Sequence, residues 1–206
     1  MTSNLIAPIT TAFITYQVAQ FGQEAVAGFG VASRMEGLSL LAVMALGGAI
    51  TPFVGQNFGA QRYDRVDEGV RWGQRFSVIY GLTVATILAL TSVYIAEFFT
   101  EDPKAIATAN LHMRIVPLSY FMLGFAMIAN GSFNAIGKPM PAMFVSLTRT
   151  ILLYAPLAFV LANLFGLIGV FAAACTANLI AGTVGFLWFR RAFKRVADEQ
   201  QAILQT

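Results

Sequence analysis

Apolar residues fall into six long runs, near 4–22, 36–58, 76–99, 113–136, 140–163 and 166–189, each broken by at most one charge. About 20 apolar residues, coiled at 1.5 Å per residue, cross a hydrocarbon core of about 30 Å. The runs are too long for buried strands, and none alternates apolar with polar positions as a barrel strand does. Turn-forming residues separate them: Gly22, Gly59, the stretch from Thr100 to Pro103, Gly137 with Pro139, and Gly166. The pattern predicts an all-α integral membrane fold of six transmembrane helices, with both termini on one side and residues 190–206 forming a basic tail.

Composition agrees, because 57% of the 206 residues are hydrophobic and 11% charged, against about 25% charge in a soluble domain. A soluble fold is excluded. Lys and Arg orient the spans, since cytoplasmic loops collect them. Nine lie on the side of loop 59–75, turn 137–139 and the tail: Arg62, Arg65, Arg71, Arg75, Lys138, Arg190, Arg191, Lys194 and Arg195. Three lie opposite (Arg34, Lys104, Arg114), and Arg149 is inside a span. The count places loop 59–75 and the C-terminus in the cytoplasm of a multi-pass protein of the inner (plasma) membrane. Tyr63, Trp72, Trp188 and Phe189 stand where aromatic interface anchors do. The net charge of +3 is therefore a topology signal, and no nucleic-acid partner is expected. Asp67 and Arg71 are spaced as a helical pair, so loop 59–75 reads as a solvated or interfacial helix. Cys175 and His112 are the only residues of their kinds, which leaves no intrachain disulfide and no cysteine metal site; no metal and no cofactor is expected, and His112 reads as a packed or interfacial residue.

Polar positions inside the spans have two readings each. Asn4, Pro8, Thr11 and Thr15 share one face of the first helix, which is either a kinked cavity wall or a set of side chains bonded to their own helix. Tyr120, Gly124, Met127, Gly131 and Asn134 share a face of the fourth, with Asn130 one step away. Its small residues favour close packing over contact with a substrate. Arg149, about ten residues into its span, sits roughly 15 Å deep with no acid of this chain expected at that depth. Charge there is costly and marks function. Glu36 stands at the outer start of the second span, either protonatable or a favourable anion at a helix N-terminus. Leu88 is taken as lipid-facing.

The second span closes on Thr51-Pro52-Phe53-Val54-Gly55-Gln56-Asn57-Phe58-Gly59-Ala60-Gln61-Arg62. Gly55 and Gly59 are spaced for a close helix contact, with Gln56 and Asn57 able to bond across it or cap the helix end. Together with GFGVASRME over 28–36 and GSFNAIGKP over 131–139, this string resembles the multidrug and toxic compound extrusion (MATE) transporters. The resemblance runs over essentially the whole chain but covers one of the two six-helix halves such transporters have. The VGQN string, the charged loop and the basic tail look like the C-terminal half, and no Lys or Arg precedes Arg34 to orient the first span. The resemblance implies a missing N-terminal six-helix half, a central cavity, and efflux of small lipophilic or cationic substrates in exchange for H+ or Na+. Neither 4–22 nor 113–136 contains Asp or Glu, so the cation site expected in helices seven and ten of the norfloxacin-exporter branch cannot be carried over. The DinF-like branch, whose coupling carboxylate is expected in the other half, is compatible. A lipid-linked saccharide flippase of related architecture would favour more cationic residues in its cavity, and a non-transporting scaffold would need neither polar faces nor VGQN. No enzyme is expected.

Overall fold

The computed structural model describes the backbone of residues 3–204 and the side chains of residues 11–197. The described residues form helices joined by short turns: α1 (Ser3–Ala19), α2 (Gln23–Gly59), α3 (Tyr63–Phe99), α4 (Pro103–Ala135), α5 (Pro139–Phe165) and α6 (Leu167–Leu204). Five of these, α2 to α6, are long and apolar enough to cross a membrane.

The termini follow from local chemistry. Asp102 caps α4, its Oδ1 accepting the Lys104 and Ala105 N–H groups at 2.8 and 2.9 Å, with Pro103 in the first helical position. α2 stops in a six-residue wrap: the Arg62 N–H reaches the Asn57 carbonyl at 2.8 Å and the Gln61 N–H reaches Phe58 at 3.0 Å. That wrap needs one left-handed residue, and Gln61 supplies it at φ 58°. Gly59, expected as the turn residue, is instead the last residue of the helix. The same wrap closes α4 with Gly137 at φ 72°, where the absence of Cβ removes the steric penalty.

Prolines account for the irregular turns. A proline inside a helix lacks a donor and crowds the carbonyl four residues back. Pro117 sits in a tight 3-10 turn, Val116–Ser119, within α4. Pro156 follows a widened π turn, Thr148–Tyr154, within α5, and extra width relieves that crowding.

α4 is the axis around which the others pack. Gly28 of α2 lies against the Ala105 carbonyl, Gly81 of α3 against the Phe121 backbone, and Gly182 of α6 against the Met122 carbonyl. Each contact brings two backbones within reach, which only a glycine permits. Gly55 and Gly59, spaced for a close helix contact, make no such backbone approach among the described residues. A Cβ at Gly55 would meet Ala135 at 3.8 Å, an ordinary distance, and one at Gly59 would meet nothing within 4 Å. Leu88 is also corrected: it is 4% exposed and packs in the core with Phe29, Met113 and Tyr120. The outward face of α3 carries Ile79, Leu90, Tyr94 and Phe98 instead. A second apolar cluster, around Val54, Val70, Phe133 and Phe189, fills the other end of the bundle. Residues 63–75 are the first turns of α3, with Arg71 paired to Asp67 at 2.6 Å, and α6 continues unbroken beyond Phe189.

Candidate functional site

α2 begins at Gln23, so Glu36 lies thirteen residues inside a helix and not at its start. The sequence pattern missed this because Arg34 and Glu36 looked like a boundary, whereas both are turns of one long rod. α4 likewise begins at Pro103, which carries His112 well into the bundle. The two meet, His112 Nε2 and Glu36 Oε2 being 3.5 Å apart, with the His112 side chain 4% exposed and that of Glu36 28%. Phe171 and Phe29 stand edge-on to the imidazole at 4.8 and 5.6 Å between ring centres, which fixes its plane. His112 Nδ1 has no hydrogen-bond partner.

The π turn of α5 carries Arg149. Its Nη1 donates to Asn178 Oδ1 of α6 at 3.0 Å, Asn178 Nδ2 donates to Ser119 Oγ at 3.0 Å, and the Ser119 hydroxyl donates to the Val116 carbonyl at 2.8 Å. Ser119 belongs to the 3-10 turn of α4. The two proline-linked irregularities therefore present the ends of one hydrogen-bonded chain, and Asn178 joins them. A guanidinium so held is compensated for part of its desolvation.

Both groups open on one cavity of about 490 Å³, lined among others by Thr11, Glu36, His112, Met127, Arg149, Thr150, Tyr154 and Asn178. Glu36 and Arg149 both line it. Arg149, expected to have no acid at its depth, thus shares a cavity with Glu36, because α2 starts thirteen residues earlier than its apolar run. Tyr154 Oη is buried without a hydrogen-bond partner, although Phe13 packs against its ring.

Of the residues singled out in the sequence, Thr11, Glu36, Met127 and Arg149 come together here. Thr15 donates to the Thr11 carbonyl at 2.8 Å and so bonds its own helix. The Asn4 and Pro8 side chains lie outside the described residues. Tyr120 is 1% exposed in the core. Asn130 bridges α4 to α5 through Ser146 at 3.3 Å, and Asn134 is exposed at the end of α4, away from the cavity. Asn57 bonds the Phe53 carbonyl of its own helix at 2.8 Å, while Gln56 is exposed. Gly137 and Pro139 make the turn into α5. Thr150, Tyr154 and Asn178 were missed, and His112, read as packed or interfacial, is packed and also lines the cavity. The Asp102-Pro103 pair, a cap followed by proline, was the signal that would have placed His112 at depth; nothing local distinguishes Asn178. Among the described residues no three His, Cys, Asp or Glu side chains gather as a metal site requires.

The family model MatE matches residues 1–160. The chain belongs to the MATE family. MATE proteins are multi-pass membrane transporters and not enzymes. Among its relatives, the FAD transporter of Shewanella oneidensis is 31% identical over 179 residues, covering 87% of this chain and 40% of that protein. The probable multidrug resistance protein NorM of Thermotoga maritima is 28% identical over 170 residues, covering 82% of this chain and 37% of that protein. The bent form of the Vibrio cholerae MATE transporter VcmN superposes with a TM-score of 0.90 at 31% identity, over 95% of this chain and 44% of that one. An outward-facing MATE transporter at 22% identity has the same fold, with a TM-score of 0.89. The chain spans about two-fifths of the length of the curated relatives it matches.

Proposed function

We propose that the chain forms the C-terminal, six-helix lobe of a MATE secondary transporter, of the DinF-like branch, that exports lipophilic or cationic compounds in exchange for H+ or Na+. The observation that carries the reading is the joint placement of Glu36, His112 and Arg149 on one cavity of an otherwise apolar bundle, since ionisable groups at membrane depth are costly and mark transport pathways. His112 Nδ1 and Tyr154 Oη, both without partners, offer polar contacts to a substrate, and Phe29, Phe171 and Met127 offer a soft apolar wall. Glu36 is a carboxylate able to exchange a proton or hold a cation beside them. The N-terminal lobe supplies the second bundle against which this one rocks, as alternating access demands. The nine-to-three distribution of Lys and Arg supports residues 59–75 and the C-terminus facing the cytoplasm of the inner membrane.

Coupling to one ion is energetically sufficient. Holding a tenfold gradient of a neutral compound requires about 1.4 kcal/mol, and one charge falling through about 100 mV releases about 2.3 kcal/mol. Ethidium efflux from cells expressing residues 1–206 alone, and together with a matching N-terminal half, tests the proposal. Efflux is expected only with both halves, and proton-dependent efflux by residues 1–206 alone would overturn it. The likeness to a protein named as an FAD transporter, with a guanidinium on the cavity wall, favours a second reading in which the cargo is a phosphate-bearing flavin. FAD export from the same cells, without ethidium efflux, would select it.

A further inference from the structure

A second concavity lies away from the polar cavity, between the N-terminal turns of α3 and the C-terminal turns of α6, with a volume of about 480 Å³. Arg71, Arg190, Arg191 and Lys194 line it against Asp64 and Asp67. Asp67 is taken by Arg71 at 2.6 Å, which leaves three cations facing one carboxylate. The Arg190 guanidinium rests over the Phe186 ring at 5.7 Å, an arrangement that holds a cation without neutralising it. In the same wall, Gln74 Nε2 is buried and has no hydrogen-bond partner, a donor lacking its acceptor.

The depth of this pocket decides what fits. α6 carries no charge from Leu167 to Phe189, a rise of about 35 Å at 1.5 Å per residue, and its cations begin at Arg190. The charges in the first turns of α3 end at Arg75, and none follows until Glu97 near the other end of the helix. The pocket therefore lies where the uncharged stretches of α3 and α6 give way to charge, the level at which hydrocarbon meets headgroups, with Val70, Phe189 and Phe193 as apolar walls among its cations. A free anion has no use for those walls, and a zwitterionic lipid brings a cation of its own. We propose that this pocket binds the phosphate headgroup of an anionic phospholipid, with Arg190, Arg191 and Lys194 facing the phosphate and Gln74 donating to a remaining acceptor oxygen. Basic clefts between membrane helices recognise such headgroups through this combination. The inference rests on membrane insertion alone and stands apart from the transport reading.

The test is native mass spectrometry of the purified chain in detergent, titrated with phosphatidylglycerol or with phosphatidylcholine of the same acyl chains. Phosphatidylglycerol is expected to bind at least about tenfold more tightly, because each cation near an anionic group contributes roughly fivefold. The double substitution Arg190→Gln/Lys194→Gln should weaken it roughly 30-fold with unchanged helicity by circular dichroism. Gln74→Leu, which leaves every charge in place, should weaken it by about fivefold and keeps the site testable if the double variant misfolds. Arg62→Gln/Arg65→Gln removes the same charge outside the pocket and should leave binding unchanged. Equal affinity for the two lipids, an equal loss in the Arg62/Arg65 variant, or displacement of the lipid by excess inorganic phosphate would each overturn the proposal.

Discussion

The hydrogen bond between Arg149 and Asn178 is the one on which the cavity's geometry turns, and a double-mutant cycle measures it. Arg149→Met and Asn178→Leu each remove one partner at similar volume. In the parent, Arg149 Nη1 donates to Asn178 Oδ1 at 3.0 Å, and Asn178 is 6% exposed. A hydrogen bond to a charged group contributes about 1.5–3 kcal/mol, whereas neutral side-chain bonds within membranes average about 0.6 kcal/mol. The cavity surface on one side of Arg149 lowers the first figure, so the coupling energy should be about 1.5 kcal/mol. The other bond of Asn178, to Ser119 Oγ, is lost in both Asn178→Leu backgrounds and cancels in the cycle. Unfolding of the four proteins in mixed detergent and dodecyl sulfate, followed by far-UV circular dichroism, gives the number. A coupling below about 0.5 kcal/mol would show that Arg149 snorkels toward an interface and that the chain from α5 through α6 to α4 does not organise the cavity.

Two glycines of α2 should respond in opposite directions to alanine. At Gly28 a Cβ would overlap the Ala105 carbonyl of α4, so Gly28→Ala should cost about 1–3 kcal/mol; Gly30 has open space, and Gly30→Ala should gain about 0.5–1 kcal/mol, both read from the same unfolding titration. Glu36→Gln, in the full-length protein, should abolish ion-coupled efflux while retaining bound substrate, because the amide keeps the shape of the carboxylate but cannot release a proton; normal efflux at every external pH would remove Glu36 from the coupling step. In a Cys175→Ser background, a cysteine at position 65 should resist an impermeant thiol reagent applied to intact cells and react after permeabilisation, and labelling from outside would reverse the topology.

What the sequence determined by itself was the class of protein. Long uncharged runs have one solution in lipid, the hydrogen-bonded helix, and residues such as Asp102-Pro103 and Gly137 end helices through interactions with their own neighbours. Those are local effects, readable within a few positions. The same logic failed where a helix outlasts its apolar run: α2 carries Arg34 and Glu36 within its length, and hydropathy cannot register a helix whose interior includes charge. Leu88, placed toward lipid by sequence and toward the core by α4, shows a second limit, since hydrophobicity is the same on both faces of a membrane helix. Only tertiary structure decided which glycines admit a backbone, and only it brought Asn178, 29 residues from Arg149 and 59 from Ser119, to the point where two proline-linked turns face each other. A hydrogen bond between distant helices depends on the rotation and depth of both, and the period of neither helix contains that information.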